Sequence, residues 1–419
     1  IPGRPQADVI NADIVGISER QKEFVCKVLN DRGFHGGTVT VSGVGEAGGN
    51  YAANVKRFSI EEDGKTFKMI AKIAPADQGL RVLMHPQLMF GNEHVMYTQV
   101  LPKFFAMEEE AGIPAKDRLR YAQCYGTLLE EPHEIILLED LTVSNFVVLD
   151  RFKSLTDQTV KMILRNFAKL HSLSYALKNQ EPETYERFLK SLRNMWTDMH
   201  DRPDTEKLVQ VLENEILTFL ENEKDRKLIK GRLTNLTPNY KKLTTVNEKS
   251  KYSVIQQGDC WTNNIMFTVD VKRTVECCMI DYQISNHNTP AADLTYMIFN
   301  CTDYQSRATH YHEWIGYYHS ELDKRLAKFG LKASLVYPRD QLDADLMSYG
   351  ELAFGFSLLL GIATLRENSD AAKFKDAMNT VDGIMEQSKF DNMSEATTGR
   401  VSKRFDELIA SFLELGYIQ

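Results

Sequence analysis

Hydrophobic and polar residues follow two different patterns along this chain, and the pattern changes near residue 141. Apolar residues at helical spacing predict a first helix from Ser18 to Arg32, with Ser18 as its cap. From Thr38 to Pro75 the pattern indicates antiparallel strands, joined by a glycine-rich turn and by an Asp63-Gly64 turn. One helix and two further strands are predicted next, over Gln87–Glu110, Tyr121–Leu129 and Glu134–Leu141.

Beyond Leu141 the pattern is mostly helical, with one short β-rich island inside it. Helices are predicted over Asp157–Leu177, Tyr185–His200 and Thr205–Glu221, and several more after Ala291. The island contains three short predicted strands, Tyr252–Gln257, Ile265–Val269 and Val275–Tyr282. Chemically reactive side chains are most concentrated in the polar loops of this island, so it is the first place to look for function.

Composition narrows the possible functions of this chain. It has 419 residues, of which 43% are hydrophobic and 26% charged, as expected for a folded globular protein. The formal net charge of −8 does not favour nucleic acid as a partner. No apolar run reaches the length of a membrane span, and the six cysteines form no C-x-x-C pair. We therefore expect a soluble, cytoplasmic protein.

Two features of the N-terminal part suggest phosphate chemistry, although each has an ordinary structural interpretation. The run from Gly43 to Asn50 contains Gly43, Gly45, Gly48 and Gly49 between two strands, and such a turn lets bare backbone amides approach an anion. Taken alone, it also fits a flexible hairpin turn. Lys72 lies in an apolar strand and needs a partner for its charge, which Glu93 in the next helix can supply. The alternative is an edge-strand lysine and a solvated glutamate.

The third feature is more specific. The segment Gln257-Gly258-Asp259-Cys260-Trp261-Thr262-Asn263-Asn264 is followed by Asp281 at the end of a strand. Phosphoryl transfer uses one carboxylate to orient the attacking hydroxyl, and a second carboxylate with an amide oxygen to hold magnesium. Asp259, Asn264 and Asp281 are of the types that this chemistry requires. A polar turn capped by Asp and Asn is the simpler alternative.

In these residues the sequence resembles the insect ecdysteroid kinase-like proteins, within the wider choline kinase and aminoglycoside phosphotransferase group. The matching motifs occur in order over nearly the whole chain: Gly49-Asn50-Tyr51, Lys72, Phe90-x-x-Glu93-x-x-x-Tyr97, Leu138-Glu139-Asp140-Leu141, Leu170-His171-Ser172-Leu173, Gly258-Asp259-x-Trp261-x-Asn263-Asn264, Ile280-Asp281-Tyr282-Gln283 and Pro290-Ala291-Ala292-Asp293-Leu294. Protein kinases carry His-Arg-Asp and Asp-Phe-Gly at the corresponding places, so a protein kinase is disfavoured.

The resemblance implies an α+β, two-lobed protein-kinase-like fold. The N-terminal lobe, residues 1–141, would contain a five-stranded antiparallel sheet plus helices, and the larger C-terminal lobe, residues 142–419, would be mainly helical. It also implies transfer of the γ-phosphoryl group of ATP, with Mg²⁺, to a hydroxyl of a small molecule. The acceptor would be an ecdysteroid or another lipophilic, steroid-like alcohol.

The same resemblance implies roles for single residues. Asp259 would be the catalytic base, and Asn264 and Asp281 the magnesium ligands. Lys72 would contact the α- and β-phosphates and be held by Glu93. The remaining nucleotide contacts would come from the glycine-rich turn over the phosphates and from the backbone beside the adenine: Gly43, Gly45, Gly48, Gly49, Asn50, Glu139 and Leu141.

One departure from the family pattern concerns the catalytic loop. Gln257 stands where the family has His before Gly-Asp, and an amide can still donate and accept hydrogen bonds. Two alternatives therefore stay open: a non-catalytic pseudokinase that binds nucleotide or hormone, and a choline- or ethanolamine-type kinase. His171 is expected to be a packed, hydrogen-bonded residue and Asp293 a helix N-terminal or loop-anchoring acid.

The acceptor site is the least specific part of the prediction. Six aromatic residues of the C-terminal lobe either line an apolar acceptor pocket or belong to core packing, and the same residues are candidates for a cage around a choline-like cation. They are Trp196, Tyr304, Tyr311, Trp314, Tyr317 and Tyr318.

Overall fold

The N-terminal part of the chain forms a five-stranded antiparallel sheet, as predicted. The computed structural model describes residues 16–45, 54–202, 205–247, 250–271, 273–378 and 393–419. The strands are β1 (Thr38–Gly43), β2 (Asn54–Glu62), β3 (Lys65–Ile73), β4 (Cys124–Leu128) and β5 (Ile135–Glu139). Their order in the sheet is β1-β2-β3-β5-β4, so β3 is the central strand. It pairs with β2 on one side and β5 on the other.

The side chains of β3 face the core and the cleft in turn, because successive side chains of a strand point to opposite faces of the sheet. Ala71 and Ile73 are buried in one apolar core together with residues of α1 (Glu19–Asp31). Ile70 and Lys72 line the cavity on the opposite face of the sheet. Because the side chains of β3 alternate between its two faces, Lys72, the one cationic residue in the buried part of the strand, faces the cleft.

Between β3 and β4 the chain is helical. The segments are α2 (Gln78–Met84), α3 (Pro86–Val95), a π-helical turn (Met96–Val100) and α4 (Leu101–Glu110). The helix predicted over Gln87–Glu110 is thus present, but with a wider turn inside it. Pro102 has no N–H to donate to the helical ladder, and the π turn lies directly before the first turn that contains this proline.

Two small sheets support the loop that carries the third sequence feature. In one, β8 (Ile265–Asp270) pairs with β9 (Arg273–Met279) and with β6 (Val147–Val148). In the other, β7 (Val254–Ile255) pairs with β10 (His287–Asn288). The three strands predicted in this region are confirmed as β7, β8 and β9. The two-residue strands β6 and β10 were not predicted from the sequence pattern.

The rest of the chain is helical and carries the larger core. Its helices are α5 (Asp157–Gln180), α6 (Pro182–Ser191), α7 (Met195–His200), α8 (Thr205–Thr218), α9 (Glu223–Ile229), α10 (Leu236–Asn247), α11 (Pro290–Cys301), α12 (Tyr304–Ala327), α13 (Ala333–Val336), α14 (Arg339–Thr364), α15 (Asn368–Met378) and α16 (Glu395–Glu414). The fold is therefore α+β with an antiparallel N-terminal sheet and a mostly helical remainder. The boundary at residue 141 stays a prediction.

The prediction of one continuous helix from Tyr185 to His200 is wrong. The chain leaves the helical conformation at Leu192, and Asn194 adopts extended backbone with φ −85° and ψ 106°. The Asn194 side chain accepts a hydrogen bond from the Thr197 backbone amide and begins α7 as its cap. Capping by a local asparagine thus divides a segment whose apolar spacing alone favours one helix.

One described helix, α14, has the length and apolar composition that a membrane span requires. In its most apolar 18-residue window, 67% of the residues are buried inside the molecule. Burial of this kind is typical of the core helix of a globular protein, so the helix is weak support for a membrane span.

Candidate active site

A cleft cavity of about 560 Å³ lies between the N-terminal sheet and the β8–β9 hairpin. This volume lies in the range of small-molecule sites. The walls are mostly apolar: Val44, Val55, Ile70, Ala122, Leu138, Leu141, Val148, Leu149, Phe152, Met266 and Ile280. Polar groups that the sequence analysis singled out also line the cavity, namely Lys72, Glu93, Asn264 and Asp281. Residues from distant parts of the sequence thus converge on one apolar cavity.

Lys72 is the centre of the charged cluster. Its Nζ lies 2.6 Å from Glu93 Oε2 and 2.5 Å from Asp281 Oδ1. It also donates to Gln283 Oε1 at 3.1 Å. The lysine is 7% exposed and Glu93 is 1% exposed, so this ion pair is shielded from solvent. The predicted pairing of Lys72 with Glu93 is present, and the interpretation as an edge-strand lysine beside a solvated glutamate is wrong, because β3 is central and Glu93 is buried.

The surroundings of Lys72 keep it charged. Burial by itself lowers the pKa of this ammonium group, but the carboxylates of Asp281 and Glu93 outweigh it and hold the pKa above its ordinary value. Burial raises the pKa of Glu93, and the opposite charge of Lys72 only partly compensates. Glu93 Oε1 is buried and finds no hydrogen-bond partner among the described residues. The cluster therefore has one permanent cation and an acceptor atom with spare capacity.

Asp259 lies in the loop between β7 and β8, with both carboxylate oxygens engaged. Asn264 Nδ2 donates to Asp259 Oδ2 at 3.0 Å, and the Tyr296 hydroxyl donates to Asp259 Oδ1 at 2.7 Å. The turn before it requires glycine, because Gly258 has φ +90° and a Cβ there would lie 2.7 Å from Ile284 O. This close approach brings the loop against the segment that follows β9.

The environment of Asp259 favours proton uptake near neutral pH. Burial and then the negative charge of Asp281 raise its pKa from 3.8 to about 7, against the lowering effect of the Tyr296 hydrogen bond, Lys72 and Asn264. A carboxylate with a raised pKa beside the cavity wall, here hydrogen-bonded to Asn264, is suited to accept a proton from a substrate hydroxyl.

Gln257 occupies the position of the family histidine, and its side chain and backbone N–H together make four hydrogen bonds. Its Nε2 donates to Ile280 O at 2.8 Å and to Asp281 O at 2.9 Å. Its Oε1 accepts from the Asp259 backbone amide at 2.6 Å. Its own backbone amide donates to Asp293 Oδ2 at 3.0 Å. The amide side chain thus joins the loop of Asp259 to the segment directly after β9, which contains Asp281.

We expect Gln257→Leu to lower kcat by about 10- to 100-fold, since two backbone carbonyls and one amide lose a buried partner. Gln257→His should retain most of the activity, because imidazole also donates and accepts. The matched control is Gln256→Leu, which removes a neighbouring buried amide bonded to Asn286. Equal losses in the two leucine variants, measured by steady-state kinetics, would contradict a specific role of Gln257.

Asp293 anchors the same loop from the first turn of α11. Its Oδ1 accepts from the Gly258 backbone amide at 2.9 Å, and its Oδ2 accepts from the Gln257 amide. His171 Nε2 lies 2.9 Å from Asp293 Oδ2, while His171 Nδ1 lies 2.8 Å from the Tyr318 hydroxyl. Asp293 is therefore a loop-anchoring acid, and His171 is a fully buried, hydrogen-bonded residue; both predictions are confirmed.

Asn264 and Asp281 have suitable chemistry for a magnesium site. Asp281 lies two residues after β9 with its backbone in the left-handed region, φ +60°, and both Asn264 and Asp281 line the cavity. The Asn264 amide nitrogen is engaged with Asp259, so its oxygen remains the atom able to act as a ligand. Carboxylate and amide oxygens are the hard ligands that Mg²⁺ prefers. The donor set thus fits the predicted ion.

The predicted nucleotide-contacting residues lie in two places. Gly43 ends β1, and Gly45, with φ +87°, lies on the cavity wall. Glu139 and Leu141, at and after the end of β5, also line the cavity. The Glu139 carboxylate is engaged by the Arg120 side chain and the Gln123 backbone amide, which leaves its backbone as the group for recognition. The remaining predicted residues, Gly48, Gly49 and Asn50, lie outside the described residues.

The aromatic set does not form a pocket at the cleft. None of the six residues is among those that line the cavity in the described part of the chain. Tyr311, Trp314 and Tyr318 are buried in the main core, at 3%, 0% and 0% exposure. Trp196 packs on Phe356 with ring centroids 4.6 Å apart. Core packing is therefore the correct interpretation for Tyr311, Trp314 and Tyr318, whereas Trp196 is only partly buried beside the core.

Sequence reasoning missed several contacts at this site. Tyr296 donates to Asp259, and Gln283 accepts from Lys72. Arg57 on β2 lines the cavity and donates its Nε to Asp140 Oδ2 at 2.6 Å, which ties the sheet to the segment after β5. For Tyr296 a signal existed, because it follows Asp293 by three residues and therefore lies on the same side of a helix. For Arg57 we find none.

Comparison with known proteins identifies what the chain is similar to. A sequence model of the ecdysteroid kinase-like family matches residues 47–331, which is more than half of the chain. A search of curated proteins found no match.

Several solved structures are similar at low sequence identity. Ethanolamine kinase from Plasmodium vivax has 14% identity and a TM-score of 0.42, over 89% of this chain and 81% of that one. The GDP complex of wild-type aminoglycoside 2'-phosphotransferase-IIIa has 12% identity and a TM-score of 0.39, over 88% and 99%. A microcompartment-associated aminopropanol kinase has 12% identity and a TM-score of 0.39, over 84% and 92%.

Proposed function

Because the chain belongs to the ecdysteroid kinase-like family, we propose that it is an ATP- and magnesium-dependent kinase of small molecules. The reaction would join the acceptor hydroxyl oxygen to the γ-phosphorus of ATP, break the bond from that phosphorus to ADP, and move the hydroxyl proton to Asp259. The family match supports an ecdysteroid or another lipophilic alcohol as the acceptor.

The observation that carries the proposal is the convergence of Lys72, Asn264 and Asp281 at one cavity, with Asp259 hydrogen-bonded directly to Asn264. Lys72 and Asp281 are in contact although 209 residues separate them in the sequence. A cation with a raised pKa, a base with a raised pKa and two oxygen ligands are the parts that phosphoryl transfer uses.

Each side chain would act through a property that the structure gives it. Asp259, fixed by Tyr296 and Asn264, would orient the acceptor hydroxyl and take its proton. Lys72 would place a permanent positive charge beside the phosphates. Mg²⁺, held by Asn264 and Asp281, would neutralise further phosphate charge. The apolar walls of the cavity would hold the base of the nucleotide and exclude water.

The first experiment is a search for product. The chain is incubated with Mg·ATP and a panel of ecdysteroids, sterols, choline, ethanolamine and glycosides, and mass spectrometry follows the gain of a phosphoryl group. We expect a product that is absent with Asp259→Ala. A product only with choline or ethanolamine would overturn the acceptor class. No product with any acceptor, together with intact nucleotide binding, would favour a pseudokinase.

Nucleotide binding can be tested without turnover. We expect a non-hydrolysable ATP analogue to raise the unfolding temperature of the wild-type chain only when Mg²⁺ is present. At an analogue concentration of about 100 Kd, binding stabilises the fold by about 2.7 kcal/mol. Asp281→Asn should lose most of this magnesium-dependent shift, because it removes a charged ligand. An equal shift in wild type and variant, with or without Mg²⁺, would contradict metal-assisted transfer.

A further inference from the structure

Tyr296 contacts the carboxylate of Asp259, the group proposed to accept the proton. It belongs to α11, and its hydroxyl donates to Asp259 Oδ1 at 2.7 Å. Three residues earlier on the same helix, Asp293 accepts the backbone amides of Gln257 and Gly258. One side of α11 therefore holds both the backbone of the loop and the side chain that the loop presents.

Two donors on two different oxygens fix the Asp259 carboxylate. Asn264 Nδ2 donates to Oδ2 at 3.0 Å, and the Tyr296 hydroxyl donates to Oδ1. With only one donor, the carboxylate could rotate about its Cβ–Cγ bond and still keep its single hydrogen bond. With both donors, one orientation is selected and the remaining lone pairs keep a constant direction. Orientation of this kind is worth large factors in rate when a carboxylate must meet a substrate hydroxyl.

Tyr296 itself is not suited to carry the proton. Burial and then the negative charge of Asp259 raise its pKa well above the ordinary value, so it remains a donor throughout the working pH range. Its hydroxyl hydrogen is committed to Asp259, and the proton released by an acceptor therefore has to go to the carboxylate.

We propose that Tyr296 is a positioning residue for phosphoryl transfer, which orients the Asp259 carboxylate towards the acceptor hydroxyl. This inference rests on the proposed function. It adds a residue that neither the motifs nor the family match assigns, and it separates two tasks of α11: Asp293 holds the loop backbone, whereas Tyr296 selects the orientation of the base.

The test is Tyr296→Phe, which removes one oxygen and keeps the ring. We expect kcat to fall by about 10- to 100-fold, the rate equivalent of one hydrogen bond to a charged group. KM for the acceptor and the affinity for Mg·ATP should stay within about twofold, because the phenol is expected to contact neither substrate. The matched control is Tyr175→Phe, which also removes a buried hydroxyl donor, in this case to the Tyr252 carbonyl, and should leave kcat unchanged.

The outcomes are distinct. Unchanged kcat in Tyr296→Phe, or losses of the same size in Tyr296→Phe and Tyr175→Phe, would overturn the positioning role while leaving the kinase proposal intact. A fall in kcat/KM caused only by a higher acceptor KM would show a binding role instead and would also overturn it. No transfer by the wild-type chain with any acceptor would contradict the proposed function, and this inference with it.

Discussion

Replacing Asp259 by asparagine is expected to lower kcat for phosphoryl transfer by about 100- to 10,000-fold, the range attributed to a positioned general base. Asparagine has a similar shape but cannot take the hydroxyl proton. Magnesium-dependent nucleotide binding should persist, because Asn264, Asp281 and Lys72 remain. The measurement is steady-state kinetics beside analogue binding. Asp270→Asn is the matched control, since Asp270 is an exposed aspartate at the end of β8.

The same substitution should change stability in a pH-dependent manner. A carboxyl group with a higher pKa in the folded chain than in the unfolded chain makes its full contribution to stability at pH values below the pKa of the unfolded chain. This contribution is lost as the pH rises through the pKa of the folded chain. For Asp259 that window runs from 3.8 to about 7. Asp259→Asn, which is always neutral, should therefore exceed the wild-type unfolding temperature at about pH 8, and this advantage should shrink steadily as the pH falls towards about 4. The opposite trend would contradict the raised pKa.

Lys72→Met is the substitution with the second large expected effect, because it removes the cation between two carboxylates. Loss of one partner from a buried ion pair costs about 3 to 5 kcal/mol of unfolding free energy. Transfer should also fall, by about 100- to 1,000-fold, as for other electrostatic groups that face the transition state. Both effects follow from the contacts of Lys72 Nζ with Glu93 and Asp281.

Three comparisons separate the two effects of Lys72→Met. The stability deficit should shrink as the pH falls, because protonation neutralises the carboxylates that lost their partner. The double variant Lys72→Met/Glu93→Gln should recover stability but not activity. Lys68→Met, at an exposed position on the same strand, should change neither. If the double variant were as unstable as Lys72→Met, the lost stability would not come from the buried charge of Glu93.

Several parts of the fold follow from local chemistry and were predictable. The capping side chain of Ser18 and the apolar spacing after it place α1, and alternation places the strands of the N-terminal sheet. The helix predicted over Tyr185–His200 shows where this approach fails. The spacing of apolar residues indicates which side of a segment is buried. A short break in the helix, such as the one before the capping residue Asn194, leaves that spacing almost unchanged.

The sequence by itself determined the chemical parts of the candidate site, because Lys72, Glu93, Asp259, Asn264 and Asp281 occur in ordered motifs with the charges and oxygen atoms that phosphoryl transfer needs. The Lys72–Glu93 pair was also predicted, but only the tertiary structure decided the other contacts of these residues and their burial. Contacts such as Lys72 with Asp281 join residues far apart in the chain, and they depend on how the sheet packs against the helical part.

The same reason accounts for what sequence reasoning missed. The hydroxyl of Tyr296 and the amide of Gln257 acquire their roles from the folded backbone around Asp259, and residue type alone does not reveal those contacts. Burial is likewise a property of the whole packed chain. It decided that Trp314 and Tyr318 belong to the core, and it raises the pKa of Asp259 into the range where a carboxylate can serve as a base.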